Sequence, residues 1–177
     1  MPQLFELLTK KTAMKILEFF MDNPSKEFYN SEIRKKLKIA KASSIKWLRV
    51  MTEYEYISKR TSGRMILYRL KTDNFLMKEL KRLKLISFLI PEFKKMNEVE
   101  IYLYGSGARG EDKEESDIDL LVIGKTSDEL IELIGNIEKK LNRRVKISSF
   151  SQLEWSKISR KDPAFYERVE KDKVRLI

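Results

Sequence analysis

Residues 105–119 read Gly105-Ser106-Gly107-Ala108-Arg109-Gly110-Glu111-Asp112-Lys113-Glu114-Glu115-Ser116-Asp117-Ile118-Asp119. An apolar run, Ile101-Tyr102-Leu103-Tyr104, leads into this stretch, and Leu120-Leu121-Val122-Ile123 continues from it. Asp117 and Asp119 are two residues apart at the head of the second run. On a strand, positions i and i+2 point to one face, so both carboxylates aim at the same spot. A glycine-serine turn beside that spot can cradle phosphates, and the carboxylates suit a divalent cation.

Leu103 to Gly110, followed by Ser116-Asp117-Ile118-Asp119-Leu120-Leu121-Val122, resembles the minimal nucleotidyltransferases of the DNA polymerase β superfamily. Their pattern is hydrophobic-Gly-Ser-x-x-Arg-Gly, a variable loop, then Ser-Asp-x-Asp-hydrophobic, and every fixed position is met. The resemblance covers about the C-terminal half of the chain. It implies that Asp117 and Asp119 are catalytic and hold Mg²⁺ or Mn²⁺, and that Gly105, Ser106 and Arg109 bind the phosphates of an NTP. Two roles are open to Arg109, a phosphate contact or a salt bridge to the acidic loop. Glu111, Asp112, Glu114 and Glu115 are expected to form a solvated loop.

The pattern departs from the family in one place. A third carboxylate is commonly found in a later Arg-x-Val-Asp-hydrophobic strand, whereas this chain reads Arg143-Arg144-Val145-Lys146-Ile147-Ser148. Lys146 stands at the acid's position, and a shift of two residues brings only Ser148. Two functions follow as alternatives. The first is transfer of NMP from an NTP to a protein or nucleic-acid hydroxyl. The second is a DNA-binding transcriptional regulator, or an antitoxin-like protein with a partner toxin, whose transferase-like domain is impaired.

Composition divides the chain. Residues 1–97 hold 22 Lys/Arg against 10 Asp/Glu, a net of +12, and residues 98–177 hold 15 against 17, a net of −2. Such an asymmetry points to an N-terminal half built to meet a polyanion, the alternative being a lysine-rich surface adapted to solubility or heat. With no cysteine and no histidine, disulfides, Cys/His zinc sites and Cys or His catalysis are excluded, and any metal must sit on oxygen ligands. The longest apolar stretch, Leu85 to Ile90, is too short to span a membrane. Met1 to Glu6 lacks the layout of a signal peptide, so a cytoplasmic protein is expected.

The apolar spacing predicts a helix over 3–22, stopped by Asp22-Asn23-Pro24, a short apolar link at Phe28-Tyr29, a helix to Leu37 and a third from Ala40 to about Tyr54. Two strand-like runs, 56–59 and 65–70, flank a basic hairpin at Arg60-Thr61-Ser62-Gly63-Arg64. This order resembles a winged helix-turn-helix, in which the third helix enters the major groove of duplex DNA and the hairpin touches its backbone. Lys41, Ser43, Ser44, Lys46 and Arg49 would serve the helix, and Lys59, Arg60 and Arg64 the wing. Trp47 is expected at the rim of the core.

The fold expected is therefore α+β. A winged helix-turn-helix over 1–72, mostly α with a β-hairpin wing, precedes a connecting helix over 73–97 that is interrupted at Pro91. A small α/β nucleotidyltransferase-like domain follows over 98–177. The apolar stripe of the connecting helix suits packing between domains or a homodimer interface. Strands are predicted at 99–104, 118–123 and 145–150, a helix at 127–141, and two short helices between Gln152 and Asp172.

Overall fold

Apolar residues at helical spacing fold the first part of the chain into helices and a small sheet. Leu4–Leu8 (α1) and Lys11–Asp22 (α2) precede Phe28–Tyr29 (β1), Asn30–Leu37 (α3), Lys41–Glu53 (α4), Ile57–Ser62 (β2) and Met65–Leu70 (β3). The coordinates are a computed structural model that describes residues 4–177. Gln3, placed by the periodicity at the start of the first helix, lies outside the described residues, as do Met1 and Pro2. The chain divides into two compact units, Met1–Met77 and Lys78–Ile177.

In the first unit Ile16, Leu17, Phe20, Ile33, Leu48 and Met51 are fully buried. The single helix expected over 3–22 is broken. The Thr9 hydroxyl donates to the Glu6 carbonyl at 2.7 Å, and Lys10 is extended at φ −96° and ψ 109°. Side-chain capture of a backbone carbonyl is a known competitor of helix continuation. The three strands pair antiparallel in the order β1-β3-β2. Ser62 opposes Met65, so only Gly63 and Arg64 form the turn, with Gly63 at φ +60°. A left-handed first position is what a two-residue hairpin turn asks of glycine. Arg60, Thr61 and Ser62, expected in the link, are strand residues.

The second unit contains most of Phe75–Phe93 (α5), then Val99–Tyr104 (β4), Gly105–Ala108 (α6), Ile118–Gly124 (β5), Asp128–Leu141 (α7), Val145–Phe150 (β6), Gln152–Lys161 (α8), Pro163–Asp172 (α9) and Val174–Arg175 (β7). The division between units falls within α5, and Leu85, Leu89 and Phe93 of this helix enter the core of the second unit. Pro91 does not interrupt α5, which runs on to Phe93. Lacking an N–H, Pro91 forgoes a single bond, to the carbonyl of Ser87, and the helix ends two residues later.

The sheet has the order β6-β5-β4-β7, with β5 and β6 parallel and the other pairs antiparallel. Alternation along β5 sorts its side chains. Ile118, Leu120 and Val122 enter a core with α5 and α7, while Leu121 and Ile123 pack with Tyr104 and Val169 on the opposite face. Phe150, Trp155 and Phe165 close over that second face. Asp119 shares the parity of Leu121, so it lies on the face covered by aromatic residues.

Candidate active site

The site begins where β4 ends. Tyr104 pairs with Asp119 across β4 and β5, and Gly105 then turns at φ +73°. A Cβ at Gly105 would stand 2.6 Å from Asp119 Oδ2, so glycine is required by the close approach of the turn to the carboxylate as well as by its backbone angle. Gly110 answers a different need. At φ +65° it packs so tightly on the Lys78 carbonyl of α5 that any side chain would overlap that backbone. This glycine of the Arg-Gly pair serves packing.

Asp117 and Asp119 are brought together as the i, i+2 spacing requires, but their environments differ. Lys146 Nζ lies 2.6 Å from Asp117 Oδ2, and this bond holds the Asp117 carboxyl below its ordinary range. Asp119 is half-buried and, among the described residues, has no hydrogen bond or ion pair. Burial pushes its carboxyl up; Lys146 pulls it down and the charge of Asp117 pushes it up again. A half-buried carboxylate with no hydrogen bond or ion pair of its own suits a cation. Among the described residues no three Asp or Glu gather into a metal cluster.

The position of Lys146 follows from strand register. Asp119 opposes Lys146 and Leu121 opposes Ser148, so all four share one face. The Ser148 hydroxyl lies 3.0 Å from the Tyr104 hydroxyl. No carboxylate stands on this face of β6.

Arg109 is committed to salt bridges. Its Nε lies 2.9 Å from Glu111 Oε2, and its Nη1 bonds Asp172 at the end of α9. The backbone N–H of Gly105 also donates to Asp172 Oδ1, at 3.4 Å. The turn expected to bind phosphate thus already holds a carboxylate between a backbone N–H and a guanidinium. Sequence reasoning misses Asp172, which lies 67 residues from Gly105 and has no neighbouring motif.

The acidic loop is not simply solvated. Glu111 bonds Lys78 at 2.7 Å and Arg109, which together hold its carboxyl down at about 2. Asp112 is buried, 3.0 Å from Lys81 Nζ and 2.7 Å from Arg143 Nη1. Arg143 also donates to the backbone carbonyls of Ser116, at 2.9 Å, and Asp117. The Ser116 hydroxyl accepts from Lys113 N at 2.8 Å. One buried carboxylate therefore ties α5, the loop and the entry to β6 together, and fixes the start of the Asp-x-Asp strand.

In the first unit Ser44 is a correction. It is fully buried on α4 and its hydroxyl donates to Asn30 Oδ1 at 2.6 Å, so it cannot reach DNA. Trp47, Leu48 and Met51 share its buried face, whereas Ile45 is 48% exposed. Arg49 bonds Glu53, Arg60 chelates Glu27, and Lys46 lies over the Trp47 ring. Lys41, Lys59 and Arg64 are exposed, and Ser43 is half-buried.

These features define a small α/β domain that sets an Asp-x-Asp pair beside a glycine-serine turn. Residues 86–176 match the family described as nucleotidyltransferase domain, and the chain belongs to that family. A solved structure described as a toxin-antitoxin with AMP-PNP is similar at 21% identity and a TM-score of 0.38. The match covers 52% of this chain and 72% of that one. No curated protein matches. Among the described residues no helix is long and apolar enough to cross a membrane.

Proposed function

We propose that the second unit binds a nucleoside triphosphate and transfers its NMP to a hydroxyl of a protein or nucleic acid. The observation that carries this reading is the juxtaposition of Asp117 and Asp119 with a turn whose Gly105 N–H and Arg109 already hold a carboxylate. Phosphate oxygens would take the place of Asp172, with the Ser106 hydroxyl as a further donor. A divalent ion, Mg²⁺ or Mn²⁺, would rest on Asp119 and the free oxygen of Asp117, and when bound it would neutralise charge developing on the departing pyrophosphate. The hydroxyl oxygen bonds to the α-phosphorus as the bond to the bridging oxygen of pyrophosphate breaks, and its proton passes to solvent. Holding the triphosphate in one orientation is the contribution expected of these residues.

Incubation with α-labelled NTPs tests the reaction. Covalent label on an acceptor supports it, while bound nucleotide that never transfers label reduces the domain to a sensor. The role of Asp172 is open to a separate measurement. Asp172→Asn should tighten ATP binding by up to about fivefold, the upper range for loss of a partly exposed competing ion pair. Unchanged or weaker binding would mean that Asp172 does not occupy the phosphate position.

A second reading concerns the first unit and rests on its basic charge and element order. We propose that α2, β1, α3, α4 and the β2–β3 hairpin act as a winged helix on duplex DNA, with Lys41 and Ser43 on the helix and Lys59 and Arg64 on the wing. Arg49, Arg60 and Lys46 would first have to leave their present partners. Lys59→Ala with Arg64→Ala should lower the slope of log K against log salt by about 0.9 for each DNA phosphate that is no longer neutralised. A slope equal to that of the unaltered chain would remove the wing from the interface.

A further inference from the structure

The carboxylate pair does not offer what two divalent ions need. Asp117 Oδ2 is already bonded to an ammonium at 2.6 Å. Lys146 stands opposite Asp119 in the parallel β5–β6 register, so its position is set by the sheet itself. Further along the same face of β6 the next residue is Ser148, neutral and beside the Tyr104 hydroxyl. Arg143 and Arg144 add positive charge near Asp117.

We propose that the Lys146 ammonium is a built-in cation that replaces one of two divalent ions, so that the site takes a single ion through Asp119. The inference rests on the nucleotide-binding reading above and specifies its metal requirement. A divalent ion on Asp117 Oδ2 would sit about 2.1 Å from that oxygen, in close repulsion with the ammonium already there. Charge leads to the same result. Counting only the two carboxylates, the Lys146 ammonium and one divalent ion gives +1, to which Arg143 and Arg144 add further positive charge near Asp117. A second divalent ion would leave it at +3 with no third carboxylate to oppose it.

The test counts ions on the full chain, with free Mn²⁺ followed by electron paramagnetic resonance and no nucleotide present. The unaltered protein should bind one Mn²⁺, and Lys146→Asp should bind two. Lys146→Met keeps the test open should the aspartate variant not fold, and should bind its single Mn²⁺ at least about tenfold more tightly because an adjacent positive charge is gone. Two ions on the unaltered chain, or none, would overturn the proposal, as would Mn²⁺ affinity and stoichiometry unchanged in both variants. A parallel titration with AMP-PNP separates the two inferences. One bound Mn²⁺ without AMP-PNP binding would leave the single-ion site standing and remove the nucleotide reading.

Discussion

Replacing Asp112 with alanine should destabilise the second unit by about 3–5 kcal/mol, the range for removing one partner of a buried ion pair. Asp112 is buried between Lys81 and Arg143, themselves largely shielded from water. Its loss strands two cations where solvent cannot fully compensate them, and neither can leave without unpacking α5 or releasing the Ser116 and Asp117 carbonyls. Thermal unfolding should show a fall in melting temperature of about 10 °C or more for a unit of this size. Glu115→Ala, an exposed change in the same loop, should leave it nearly unchanged. Equal and small shifts for both variants would mean that the loop is held by backbone packing alone.

This network shows what the sequence conceals. Asp112 sits in an acidic run that looks solvated, and nothing local distinguishes it from Glu115. Its partners, Lys81 and Arg143, are each 31 residues away in the chain. Asp172 is hidden for the same reason, since a single acid at the end of a charged helix acquires meaning only when folding sets it against Gly105 and Arg109. Local periodicity, by contrast, is legible. β4 and β6 lie where predicted, and β5 and α7 differ by one residue at one end, because apolar alternation and helical spacing change cleanly at these boundaries.

Some local readings fail for physical reasons. The presence of Lys41 on the same side of the helix points Ser44 towards DNA when only the sequence is considered. The chain instead buries Ser44, Trp47, Leu48 and Met51, and satisfies the one hydroxyl through Asn30. Short polar side chains fit a core when a partner is provided, and the partner lies in the preceding helix. Lys146 is legible as a missing acid. Its bond to Asp117 is not, because it depends on strand register and on the direction a long side chain leans.

The second large effect is expected at the dyad, where Asp117→Asn with Asp119→Asn removes both charges that would hold a divalent ion. The double variant keeps the side-chain volumes and the β4–β5 pairing, so the fold should persist. Asp119 has no hydrogen-bonded partner to strand, and Lys146 stays exposed to water once its bond to Asp117 is lost. Burial of Asp119 disfavours the charge that the variant removes. A divalent ion should therefore lose its seat, and nucleotide that depends on that ion should be lost with it. The loss expected is at least about a hundredfold in nucleotide affinity in the presence of Mg²⁺, equivalent to about 2.7 kcal/mol.

Calorimetric titration of ATP, GTP, CTP and UTP with Mg²⁺, run beside this double variant, is the most direct test of nucleotide binding at the dyad. Binding of at least one NTP to the unaltered chain, lost in the double variant, is the predicted result. Binding of no nucleotide to the unaltered chain, or equal binding to both proteins, would contradict it.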